Sequence, residues 1–215
     1  YNGLVLDQSP FSAESQGYLL YVGRIDREKG THVAIDAAVR LKKKLIIAGK
    51  LDDAVPHIRE YYVRYVRPRL KRHADLVTWI GEVGEAERND LMKNSLCLLH
   101  PISWPEPFGL MLIESMACGT PTVVTTHGGL YRALTFGRHA LYADSFDKED
   151  LGISIVKVLK HPRLAHRLGR MGAHKARSLF TWTGIAQQLI SLIEERATAL
   201  AFTDNEWDEP WNDGD

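Results

Sequence analysis

Residues 18–49 read YLLYVGRIDREKGTHVAIDAAVRLKKKLIIAG, and their order decides the fold class. Tyr18–Val22 is a short apolar run ended by Gly23, and Leu45–Ala48 is a second, ended by Gly49. Neither run alternates with polar positions, so both read as strands buried on two faces. Between them Val33, Ala34, Ala37, Ala38 and Leu41 recur at spacings of three and four, which marks a helix, with Thr31 as its expected N-cap. Strand, helix and strand in that order make a parallel crossover unit.

The same alternation continues down the chain. Helical patterning is expected from Pro56 to His73, with a break at Pro68. Leu76–Ile80 reads as the third strand, Glu85–Asn94 as a helix and Leu96–Leu99 as the fourth strand. Gly109–Cys118 reads as a helix stopped by Gly119. Pro121–Val124 and Ala140–Tyr142 are the fifth and sixth strands, and the remainder is helical: Lys148–Lys160, Pro162–Ser178 and Thr183–Leu200. This is an α/β protein with a Rossmann-like, doubly wound parallel sheet, and right-handed crossovers favour the strand order 3-2-1-4-5-6. Such a sheet binds its ligand beyond the carboxyl ends of the strands at the switch point, here strands one and four. The segments there are Gly23–Gly30 (GRIDREKG) and His100–Gly109 (HPISWPEPFG).

Length and composition bound what those loops serve. At 215 residues and 25% charged residues, the chain suits one domain. No apolar run approaches the ~20 residues of a membrane-spanning helix, and no secretion signal is visible, so a cytoplasmic location and no integral membrane segment are expected. The first residue is Tyr1, which suggests a piece of a longer protein. Cys97 and Cys118 are too few for a disulfide scaffold or a four-cysteine zinc site. Residues 203–215 (TDNEWDEPWNDGD) hold six acids and no Lys or Arg. We therefore divide the chain into a domain, residues 1–202, and an acidic tail expected to be disordered, residues 203–215. Without the tail 27 bases face 21 acids, a surplus that suits phosphate-bearing ligands and falls short of a nucleic-acid footprint.

Arg24 and Lys29 follow the first strand and could neutralise a diphosphate without a metal. Taken alone, two cations in a surface loop are ordinary. Gly109 and Leu110 open a helix at the switch point, where free N–H groups favour an anion. Glu114 lies about 7.5 Å further along that helix, the displacement from a nucleotide's phosphate to its ribose. Glu106 precedes the helix between Pro105 and Pro107, which restrict the backbone on either side. A glutamate in a first turn is common because it suits the helix dipole, so Glu114 gains meaning only with its neighbours. The rival motifs are missing: no G-x-G-x-x-G follows the first strand, and no Walker loop or G-x-S-x-G elbow occurs. Nine histidines show no ligand spacing, and Asp213-x-Asp215 closes a polar tail, so no metal site and no cofactor are expected.

Taken together, these residues resemble a known family. Glu106–Glu114 (EPFGLMLIE) resembles the E-x7-E signature of retaining glycosyltransferases of the GT-B fold, family four. GRIDREKG is similar to that family's donor-phosphate loop, and ESMACGTPTVVT to the stretch after its second glutamate. The likeness runs from Asn2-Gly3 to about Trp182 and implies the C-terminal, nucleotide-sugar-binding half of a GT-B fold. It implies that Arg24 and Lys29 meet the donor diphosphate and that Glu106 contacts the donor sugar. Phe108, Gly109 and Leu110 would turn their backbone to sugar and phosphate, Glu114 would bind the ribose, and Val83, in the loop Gly81–Gly84, would lie by the base. Of these, Glu106, Arg24 and Lys29 would act in catalysis. The implied partners are a nucleotide sugar (UDP-, GDP- or ADP-linked) as substrate and an acceptor held by a missing N-terminal domain, with transfer independent of metal. The chain departs from the family pattern at Tyr131 and Arg132, after Gly128-Gly129, and around Ala140. Two alternatives use the same residues: a nucleotide-sugar-binding module without activity, or a GT-B epimerase or phosphorylase. A phosphorylase would need a lysine for pyridoxal phosphate, and Lys50, its only candidate, is poorly placed for that role.

Overall fold

The computed structural model describes residues 3–5, 10–125, 134–135, 137–143 and 148–204. Six strands form one sheet: β1 (Leu19–Val22), β2 (Leu45–Ala48), β3 (Val77–Gly81), β4 (Cys97–His100), β5 (Thr122–Thr125) and β6 (Leu141–Ala143). Every pairing is parallel, in the order β3-β2-β1-β4-β5-β6. Leu19 of β1 sits opposite Leu45 on one side and Cys97 on the other, so β1 and β4 meet at the switch point as expected.

The helices are α1 (Thr31–Arg40), α2 (Pro56–Tyr61), α3 (Arg67–Arg72), α4 (Glu85–Asn94), α5 (Leu110–Ala117), α6 (Lys148–Lys160), α7 (Pro162–Leu179) and α8 (Trp182–Asp204). The period of two along each strand divides the core into two layers. Leu19, Tyr21, Leu45, Ile47 and Leu99 pack beneath α1 and α6, while Leu20, Val22, Leu98 and Val124 pack beneath α5 and α7. The central strands β1 and β4 are therefore buried on both faces, whereas Thr78 and Ile80 of the edge strand β3 are exposed.

Two local expectations are corrected. Thr31 is the first helical residue and not the cap; Gly30 is the cap, at φ 71°. A Cβ on Gly30 would lie 2.0 Å from the Pro101 carbonyl oxygen, so only glycine lets the two loops touch. The freed Thr31 hydroxyl donates instead to the Tyr21 phenol, at 3.0 Å. Pro68 does not break the second helical region. A π-helical turn over Tyr62–Val66 joins α2 to α3 and absorbs the missing donor in a wider ring.

The start of the described chain is pinned to the junction of α7 and α8, since Leu4 N–H donates to Phe180 O at 2.6 Å and Gly3 lies against Trp182. Helix α8 runs two residues past the expected domain boundary, to Asp204. Residues 205–215, with most of the acidic stretch, lie outside the described residues, as do Asn2, Gly128-Gly129 and Tyr131-Arg132. Cys97 and Cys118 are free and buried, and burial pushes both thiols up to about 12. Among the described residues no helix is long and apolar enough to cross a membrane.

Candidate functional site

Beyond the carboxyl ends of β1 and β2 lies a cleft of about 290 Å³. The sequence-derived residues Arg24, Val83, Leu110 and Glu114 all line it, together with Gly23, Gly49 and Lys50. Close approach of the strand ends shapes the cleft: a Cβ on Gly49 would lie 1.8 Å from Gly23 O. Arg24 is exposed at the mouth, and Leu110 is also open to solvent.

The loop bearing Arg24 and Lys29 is tied down from beneath. Tyr21 is buried in the sheet, and its hydroxyl donates to Arg24 O at 3.0 Å, with Lys29 O at 3.3 Å. Burial pushes that phenol far up, so it stays protonated and holds the loop as a donor. Ser103 N–H donates to Glu28 O at 2.9 Å and links this loop to the one after β4.

Gly109 caps α5 at φ 87°, a left-handed conformation that favours glycine, and Leu110 and Met111 face the cleft from the first turn. Their amides precede the first complete helical bond and open toward the ligand space. Phe108 turns its side chain away and meets the Phe180 ring edge-on, with centroids 5.8 Å apart. Neither Phe108 nor Gly109 lines the 290 Å³ cleft.

The two glutamates are both paired. Glu106 accepts from Lys29 Nζ and from the Trp104 indole N–H, the latter at 3.1 Å. Lys29 also lies 4.6 Å from the centroid of the Trp104 ring, a cation–π distance. Lys29 therefore does not stand free beside Arg24: it faces its ion-pair partner across the two loops. Neither it nor Glu106 lines the 290 Å³ cleft. Glu114 is buried and accepts a two-pronged bond from Arg88 of α4, with both N···O distances 3.1 Å. Burial raises the Glu114 pKa, while the adjacent guanidinium pulls it back down.

Three residues of this site escaped sequence reasoning. Arg88 belongs to no motif, although one turn separates it from Gly84 at the cleft loop. Trp104 lay inside a recognised loop but carried no motif. His100 ends β4, fully enclosed, and its Nε2 has no hydrogen-bond partner. Burial and then Lys29 lower its pKa to about 4, against an upward pull from Glu106, so the imidazole is neutral at physiological pH. Among the described residues no cluster of His, Cys, Asp or Glu could hold a metal.

A Rossmann-like sheet carries an anion-favouring helix start, a cation and a carboxylate along one cleft, an arrangement whose chemistry suits a nucleotide. Residues 6–175 match the glycosyl transferases group 1 family, and the chain belongs to it. Mannosylfructose-phosphate synthase from Agrobacterium fabrum is 46% identical over 207 residues, covering 92% of this chain and 44% of that enzyme. Sucrose-phosphate synthase from Thermosynechococcus elongatus superposes with TM-score 0.78 at 26% identity, over 92% of this chain and 52% of the other. Anabaena HepE, solved in complex with UDP, shares the fold with TM-score 0.78 at 19% identity, over 91% and 56% of the two chains. The chain thus spans about half the length of these relatives, or less, and it is homologous to glycosyltransferases of the GT-B type.

Proposed function

We propose that this chain is the donor-binding half of a retaining GT-B glycosyltransferase, moving a sugar from a nucleotide sugar to an acceptor held by an N-terminal domain. The observation that carries this reading is the line of groups along the cleft: Arg24, the start of α5, then Glu114 about one turn inward. In this reading the diphosphate lies on Arg24 and the α5 amides, the ribose hydroxyls on Glu114, and the base near Val83. Charge develops on the diphosphate as the sugar bond breaks, and fixed donors that meet it there lower the barrier. Lys29 supplies the second cation once the ligand draws it from Glu106. Glu106, so released, orients the sugar and is not a general base. With both cations supplied by the protein, transfer needs no metal.

The names of two of these relatives, mannosylfructose-phosphate synthase and sucrose-phosphate synthase, direct the acceptor search toward hexose phosphates. Leu189, Ile190, Leu192 and Ile193 of α8 are each more than half exposed, which suits a helix that a further domain covers. We place the enzyme in the cytoplasm.

Calorimetry of the purified chain with UDP, GDP and ADP, with and without chelator, tests the reading. Binding of one nucleoside diphosphate that survives chelation is expected. Incubation with labelled nucleotide sugars and hexose phosphates should yield no turnover, because the crevice lacks the second wall that orients the acceptor and excludes water. Failure to bind any of the three at millimolar concentration would overturn the proposal, as would robust transfer by this chain alone.

A further inference from the structure

A second cleft, of about 550 Å³, lies at the opposite, amino-terminal end of the sheet. Small-molecule sites have volumes of this order. Its floor is apolar: Leu96 and Pro121 before β4 and β5, with Val158 and Leu159 from the end of α6. One wall is the segment 11–15, which is held in place by backbone bonds. Ser12 N–H donates to Cys118 O at 3.0 Å, and Gln16 N–H to Asn94 O at 2.7 Å. Phe11 seats on Gly119, where a Cβ would come within 2.6 Å of the ring. The cavity is therefore preformed.

The facing wall is the start of α7, which presents Arg163, His166 and Arg170. These positions are three and seven residues apart and share one face of the helix. No ion pair engages Arg163 or Arg170 among the described residues, and the first turn of α7 contains no acid to balance them. Both side chains are exposed at the cleft, and only Arg163 lies in the first turn, where the helix end favours an anion. Lys93, on the rim, is paired with Asp90 at 3.2 Å, and Glu14 is the one carboxylate in the lining.

We propose that this cleft is a second ligand site and that it takes a small organic phosphate, a monoester on a ring or other apolar body. The dianion would lie between Arg163 and Arg170, whose planar forks suit phosphate oxygens. The body would cover Leu96, Pro121 and Leu159. A concave site with an apolar floor selects a small molecule over an extended polyanion, which needs a flat or grooved basic surface.

Amide spectra of the chain titrated with phenyl phosphate, inorganic phosphate and benzyl alcohol provide the test. Phenyl phosphate should produce saturable shifts in residues 93–96, 119–121 and 162–170, and should bind more tightly than either fragment. Arg163→Gln with Arg170→Gln should weaken it by about tenfold or more while a UDP titration, read at residues 23–24 and 110–114, stays unchanged. No saturable shift by ~10 mM, or equal affinity in the double variant, would overturn the site. So would shifts confined to the donor cleft. Because UDP is read at separate residues, these failures leave the donor reading standing.

Discussion

Glu106 and Glu114 flank the same helix start, yet they are held in different ways. Glu106 lies on a loop and meets one ammonium from another loop, with both side chains more than a tenth exposed. Glu114 lies inside α5 and is gripped by a guanidinium fork from α4. A lysine is a single point charge on a flexible stem, whereas two parallel bonds from Arg88 fix the plane of a carboxylate. The first pair is suited to open when a ligand brings new charge. The second is a fixture that presents one carboxylate in one orientation. Burial acts on the two regions with opposite sign as well: it keeps His100, behind the Lys29–Glu106 pair, neutral, and it raises the pKa of Glu114.

The largest expected effect uses that sign. His100 has a folded pKa of about 4 against 6.5 unperturbed, so the unfolded chain binds more protons between those values. Stability contributed by the neutral ring is present above pH 6.5 and lost as pH falls toward 4, by about 3 kcal/mol in all. Urea melts from pH 7 to 4 should show this slope, and His100→Asn should flatten it. Lys29 and Glu106 are the charged groups that act on the ring, so melts of Glu106→Gln separate their part. Glu114 runs the other way: with its pKa raised, its ionisation opposes folding as pH rises above 4.5.

Next in size, Arg88→Ala strands the Glu114 carboxylate and should cost about 2 kcal/mol, less than a fully buried pair because Arg88 keeps some solvent contact. Arg88→Met combined with Glu114→Leu should recover most of that stability in chemical denaturation while weakening nucleotide binding through the lost carboxylate. A change near zero in Arg88→Ala would break the distinction between fixture and openable pair. Arg88→Gln should also raise the Glu114 pKa further, so preference for ribo- over dideoxyribonucleotides would strengthen with rising pH.

Smaller effects fall on binding. Arg24→Ala or Lys29→Ala should weaken a nucleoside diphosphate by about 1.5 kcal/mol and leave the nucleoside unchanged by calorimetry. Equal losses for both ligands would remove these residues from the phosphates. Smallest of all, Glu106→Gln should leave UDP affinity unchanged or slightly improved, since it frees Lys29, and should weaken only the nucleotide sugar. If Glu106→Gln and Glu114→Gln lost the same ligands equally, the contrast between them would collapse.

By itself the sequence determined the sheet and where its ligand end lies. Parallel strands covered on both faces need no polar positions, so Tyr18–Val22 and Leu45–Ala48 stand out as unbroken apolar runs ended by glycine. The spacing of Glu106 and Glu114 was legible for the same local reason, since a helix start converts residue number into distance. Tertiary structure alone decided what each charge faces. Lys29 meets Glu106 across 77 positions, and Arg88 meets Glu114 across 26. The close approach of Gly30 to Pro101 likewise joins segments remote in the chain. The direction of a side chain depends on packing between distant elements, which no local pattern encodes. The π-helical turn before Pro68 belongs here too: a proline signals a lost donor, but only the packed helices determine whether the chain breaks or widens around it.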